Sequence, residues 1–331
     1  MLWRRENFRP WFLKTVDFKS YRIMDNGFVR HFILISAVLL SVLPVSAAQG
    51  RFVNHPLPSG TDTLRILAVG NSFSDDGTEY LPSLLETAGI HNVVLGRLYI
   101  GGCSLERHCR EYEEGLSDYM YSKSTSNRWV TVAEKTGILT GLHDEKWDVV
   151  TIQETSGLSG IYDSYAEWIP RLLEIIIREV SNPALVVYWH QTWAYAVNST
   201  HTSFPLYGND QKRMYEGIVD CVSRASEEFS LPVIPSGTAV QIARGTALNN
   251  VGKVPEDSNV YDLTRDGYHL SRQFGRYIAA CTWFETLIRP VFGIGVRNNG
   301  CTLLDTEFSL CRKDAELCRK CAVKAVKQWA K

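Results

Sequence analysis

The sequence has no surplus of positive charge. Its 35 Lys and Arg stand against 36 Asp and Glu over 331 residues, a formal net charge of −1. With no basic excess to displace counterions from a phosphate backbone, nucleic acid is excluded as a partner. There is no internal repeat and no low-complexity linker, and 45% hydrophobic residues exclude general disorder. Gly293-x-Gly295 lacks the third glycine of a dinucleotide fingerprint, with Asn298 in its place, and does not follow a strand, so a nucleotide cofactor is not expected. Cysteine is sparse, eight in all, and no set of four ligands has zinc-type spacing. The apolar run at residues 32–45 is fourteen residues long, short of the roughly 20 needed to cross a bilayer.

What is there begins with that run. Arg30 and His31 precede it and Ser46-Ala47-Ala48 follows, the pattern of a secretory signal peptide with cleavage expected after Ala48. The alternatives are a buried helix or an uncleaved anchor. Met24 would give an n-region of more ordinary length, with residues 1–23 a misassigned extension. Removing residues 1–48 leaves 283 residues with 28 Lys/Arg against 33 Asp/Glu, about −5, in one domain spanning 49–331. No cysteine follows the run closely enough for lipid attachment. The expected location is therefore secreted or periplasmic, with no stable membrane insertion after cleavage. Cys103 and Cys109 have the spacing of a loop-closing disulfide, with His108 beside them leaving a metal ligand open. Cys221 and Cys281 lie in helical patterns. Cys318, Ala322, Ala325 and Trp329 share one helical face, which makes the Cys318-x-x-Cys321 pair a packing feature.

From residue 64 short apolar runs alternate with helical patterns. Strands are expected at 64–69 (LRILAV), 93–100, 147–152, 185–189 and 232–235, and helices at 79–88, 165–180, 211–229, 272–287 and 313–330. Residues 103–141 read as polar and partly helical, and 244–260 as a long loop. Continuous apolar strands alternating with helices predict a three-layer αβα fold around a doubly wound parallel sheet.

In such a sheet ligands bind beyond the carboxyl ends of the strands. Gly70-Asn71-Ser72 follows the first strand, Gly101-Gly102-Cys103-Ser104 the second and Gln153-Glu154-Thr155-Ser156 the third, and Asp266-Gly267-Tyr268-His269 lies downstream. Ser72 alone reads as a helix cap, although Thr78 and the Asp75-Asp76 pair supply caps too. Asp-x-x-His alone reads as a helix start. Together they supply a nucleophile, a base and its orienting carboxylate.

These blocks resemble the SGNH, or GDSL-type, hydrolase superfamily of serine esterases, over residues 64–288. The resemblance implies Ser72 as nucleophile, His269 as general base and Asp266 as its partner, with no metal or cofactor. The backbone N–H groups of Ser72 and Gly102 would form part of the oxyanion hole. The family's third block carries an Asn as a further donor; here Gln153 occupies that strand end and is expected to donate in its place. The first block reads GNSF rather than GDSL. Beyond the fourth strand, His190, Gln191, Trp193 and Tyr195 are expected at a substrate rim suited to sugar, with Trp193 and Tyr195 exposed and His190 either a pocket group or structural. The expected activity is removal of O-acyl, chiefly O-acetyl, groups from a small-molecule or polysaccharide ester. A lipid-directed esterase or thioesterase and a non-catalytic glycan-binding descendant are the alternatives.

Overall fold

The computed structural model describes residues 55–58, 63–124, 128–249, 261–304 and 306–330; the expected leader lies outside them. Every described residue belongs to one compact unit, Gly50–Lys331. Strand β1 (Leu64–Gly70) is buried along nearly its whole length and leads into α1 (Ser72–Thr78) and α2 (Leu81–Thr87). Next come β2 (Val93–Tyr99), α3 (Leu105–Glu113), β3 (Tyr119–Ser124), β4 (Val130–Thr136) and α4 (Ile138–Asp144). They are followed by β5 (Val149–Ile152), α5 (Tyr162–Glu179), β6 (Val186–His190), α6 (Gln211–Phe229) and β7 (Val233–Ile234). The described chain ends with α7 (Ser236–Arg244), α8 (Phe274–Trp283), a π-helical turn (Phe284–Ile288), α9 (Arg289–Phe292) and α10 (Arg312–Trp329).

The sheet order is β4-β3-β2-β1-β5-β6-β7. The five strands from β2 to β7 are parallel, as expected, whereas β3 and β4 are antiparallel additions at the β2 edge. The expected three-layer αβα fold around a doubly wound parallel sheet is thus present, with an antiparallel hairpin added at one edge, so that the seven-stranded sheet as a whole is mixed. The hairpin carries no apolar run because Ser122 and Ser124 take buried places on β3 and β4 is mostly exposed. Helices α1, α2, α7, α8 and α10 pack together as one layer and α3, α4, α5 and α6 as the other. Connections from β1 pass to β2 on one side, and the later parallel strands build outward from β5 on the other. The switch point thus falls at the carboxyl end of β1, where Ser72 begins α1.

Among the described residues no helix is long and apolar enough to cross a membrane. Among the described residues the four largest wholly buried side chains are Trp147, Trp189, Trp193 and Trp283. The layers approach closely at Gly237, where a Cβ would stand 1.9 Å from the carbonyl oxygen of Thr192. Backbone cannot yield as a side-chain tip can. Gly237→Ala is expected to cost about 2–3 kcal/mol, read as a lower urea midpoint at unchanged slope; an unchanged midpoint would mean that this approach is not needed.

Candidate active site

Asn71 sits between β1 and α1 in extended conformation and caps the helix, its Oδ1 accepting from Phe73 N at 2.9 Å. That fixes Ser72 as the first helical residue, half-buried, with its hydroxyl at the sheet edge. Across from it, His269 Nε2 lies 2.8 Å from Ser72 Oγ, and His269 Nδ1 lies 2.6 Å from Asp266 Oδ2. Asp266 Oδ1 also accepts from Tyr268 N and His269 N, at 3.2 and 2.7 Å, so the carboxylate orders its own loop. Burial is the largest single influence on Asp266 and opposes ionisation. The hydrogen bonds from the His269 ring and from the His269 and Tyr268 N–H groups oppose it, and the carboxyl is held below its usual range. An ionised Asp266 accepts only, so His269 Nδ1 carries the proton and Nε2 accepts from the Ser72 hydroxyl.

Gly102 is exposed, with φ +64° and open space where a Cβ would point. Neither its N–H nor that of Ser72 donates to any described residue. The loop bearing Gly102 is held at two points. Asn71 Nδ2 donates to Cys103 O at 2.9 Å, and buried Glu154 accepts from Leu105 N at 3.1 Å.

Gln153 is 1% exposed, and its amide is committed inside the core. The bonding there runs one way. Phe73 N–H marks the facing Asn71 atom as Oδ1, so Gln153 presents Nε2 to it at 2.8 Å and Oε1 to His190 Nδ1 at 2.7 Å. His190 Nδ1 is then the protonated nitrogen, and Nε2 accepts from Ser236 Oγ at 3.0 Å. Burial pushes His190 down to about 3, so the ring is neutral at ordinary pH. Gln153 thus braces Asn71, which corrects the expectation that it donates to the oxyanion.

The rim expected at His190, Gln191, Trp193 and Tyr195 is likewise corrected, for all four are wholly buried. Trp193 stacks on Phe73 with ring centroids 4.3 Å apart and donates Nε1 to Tyr268 O at 2.7 Å. Gln191 Oε1 accepts from Thr238 N and Oγ1, and Tyr195 Oη pairs with Ser156 Oγ at 2.9 Å. The segment after β6 runs back under the His269 loop, so its aromatics support the site from below. The partly accessible rings beside His269 are Tyr268 and His201, which sequence reasoning passed over. Tyr268 lies 4.3 Å from the His269 ring and 4.8 Å from that of His201. Burial above all lowers His201. Cys103 and Cys109 are both free and buried, Cys103 Sγ meeting His108 Nδ1 at 3.4 Å. No group of three or more metal-ligating side chains occurs among the described residues.

Solved structures similar to this chain include a DUF4886 family protein from Bacteroides uniformis ATCC 8492. It is 38% identical, with a TM-score of 0.70, and the match covers 80% of this chain and 95% of that one. More remote are a provisionally assigned SGNH hydrolase from Slackia heliotrinireducens and an acetylxylan esterase from Geobacillus stearothermophilus. The first is 20% identical over 68% of this chain and 98% of that one, at a TM-score of 0.44. The second is 13% identical over 70% and 95%, at 0.41. Scores this low carry no inference about chemistry. No curated protein matches the chain. The family described as "Domain of unknown function (DUF4886)" matches residues 65–325, and with the Bacteroides relative this establishes that the chain belongs to the DUF4886 family.

Proposed function

We propose that this chain is an exported serine esterase that removes O-acyl groups, chiefly O-acetyl, from carbohydrate esters. The observation that carries the reading is the unbroken line Ser72 Oγ–His269 Nε2, 2.8 Å, and His269 Nδ1–Asp266 Oδ2, 2.6 Å, at the carboxyl end of β1. His269 takes the Ser72 proton as Oγ attacks the acyl carbonyl, and Asp266 stabilises the imidazolium that forms. The oxyanion falls to the N–H groups of Ser72 and Gly102. His269 then returns the proton to the departing alcohol, and water releases the acyl group from Ser72 by the same route. Tyr268 and His201 offer a ring face and polar tips beside the alcohol, which suits a sugar. Export rests on the signal-peptide pattern of the N-terminal sequence.

The test uses the purified protein and Ser72→Ala on p-nitrophenyl acetate, p-nitrophenyl octanoate and acetylated glycans, with a fluorophosphonate to label the nucleophile. Hydrolysis of acetate and glycan esters is expected from the wild type alone, with the label on Ser72. Equal rates in both proteins would overturn the esterase; a preference for octanoate would move it to lipid.

A further inference from the structure

We infer that Asp76 is a positioning residue that seats the His269 loop against the nucleophile; the inference rests on the esterase reading above. Asp76 lies four residues beyond Ser72 on α1, one helical turn along the same face. It is wholly buried, and among the described residues its side-chain hydrogen-bond partners come from the chain around Asp266 and His269. Arg265 Nη1 donates to Oδ1 and Oδ2 at 3.0 and 2.9 Å. Leu270 N donates to Oδ2 at 2.9 Å, and Arg276 Nε donates to Oδ1 at 2.7 Å. Arg265 and Leu270 are the immediate neighbours of Asp266 and His269 in sequence.

The loop is stiff within itself. Arg265 N donates to His269 O at 2.9 Å, Arg265 Nη1 donates to Leu270 O at 2.5 Å, and Asp266 binds two N–H groups of the same turn. A stiff loop still needs its place fixed, because the 2.8 Å contact between His269 and Ser72 joins two elements 197 residues apart. Trp193 Nε1 and Ala196 N hold the loop tip, at Tyr268 O and Gly267 O. Asp76 holds both of its flanks on the helix that carries Ser72. A carboxylate with its acceptor sites filled by two guanidinium groups and an amide is geometrically demanding, since charged hydrogen bonds are short and directional. Displacing a reacting group by 1 Å can cost about 10²-fold in rate.

Asp76→Asn keeps the shape and removes the charge; Arg265→Gln, at a partly exposed side chain, loosens the same joint with less risk to folding. Each is expected to lower kcat and the rate of fluorophosphonate labelling at Ser72 about 10²-fold, with KM little changed. The low-field His269 Nδ1 proton in the NMR spectrum is expected to persist, since the Asp266 contact lies within the loop. The His269 ring-proton shift induced by Phe73, 6.0 Å away on α1, is expected to change. Wild-type labelling rates in both variants would overturn the inference. So would losses that only track the unfolded fraction, with the low-field proton lost as well. If the wild type itself does not label at Ser72, the esterase reading fails, and the ring-proton shift alone decides whether Asp76 seats the loop; an unmoved shift overturns the inference.

Discussion

Replacing His269 by alanine is expected to lower esterase turnover by about 10⁴–10⁶-fold. The loss is this large because, among the described residues, His269 Nε2 is the base hydrogen-bonded to the Ser72 hydroxyl, at 2.8 Å. The Ser72 and Gly102 N–H groups would survive the change and keep some residual rate. Groups that act as one unit do not lose activity additively. The Ser72→Ala/His269→Ala double variant should therefore be no slower than the worse single one. Steady-state rates on p-nitrophenyl acetate for the three proteins decide the point. Losses that multiply would show that Ser72 and His269 act separately and would break the proposed mechanism.

Lowering the pH from 7.5 to 5 is expected to remove about 2 kcal/mol of folding stability through His190 and as much through His108. Both rings are wholly buried, and both are pushed down to about 3, by burial alone at His190 and by burial with Arg107 at His108. An unfolded histidine takes up its proton as the pH falls through about 6.5, while the folded ring does not until about 3. Across that window the unfolded state binds the additional proton, so stability falls with pH. Asp75 works the other way. Burial above all, against the pull of Arg97, raises it to about 6, so protonation of the folded state recovers about 1 kcal/mol by pH 5. His190→Gln isolates one contribution: its stability difference from the wild type should shrink by about 2 kcal/mol between pH 7.5 and 5. Urea unfolding at both values checks it, and a constant difference would show that the folded ring takes up its proton over the same pH range as the unfolded one.

The parallel strands and the long helices were legible because their signal is local. Residues 211–229 carry a helical stripe from Met214 to Ala225, and the helix occupies those very residues. The hairpin was not legible, since its buried serines and exposed valines invert the rule that separates inside from outside. Ser72, Asp266 and His269 were legible as chemistry from their types and order on the sheet. The second layer was not. Nothing local says that Trp193 goes under a loop 75 residues away, or that Gln153 spends its amide on Asn71. Asp76 left one faint trace, an acid one helical turn from the nucleophile with Arg265 just ahead of Asp266.

The buried line from Ser236 through His190, Gln153 and Asn71 to the Cys103 carbonyl changes what counts as a conservative replacement. Gln153→Glu alters one heavy atom and almost no volume. It would nonetheless set a carboxylate oxygen against Asn71 Oδ1, acceptor facing acceptor. Turning the Asn71 amide over to relieve that contact would oppose its NH₂ to Phe73 N–H and its oxygen to Cys103 O, a mismatch at both ends. The sense of the line is fixed by two backbone groups that cannot reverse, the first beside the nucleophile and the second beside Gly102. A substitution that looks silent by size is therefore legible at the sheet edge as a reversal of polarity, felt beside both Ser72 and Gly102.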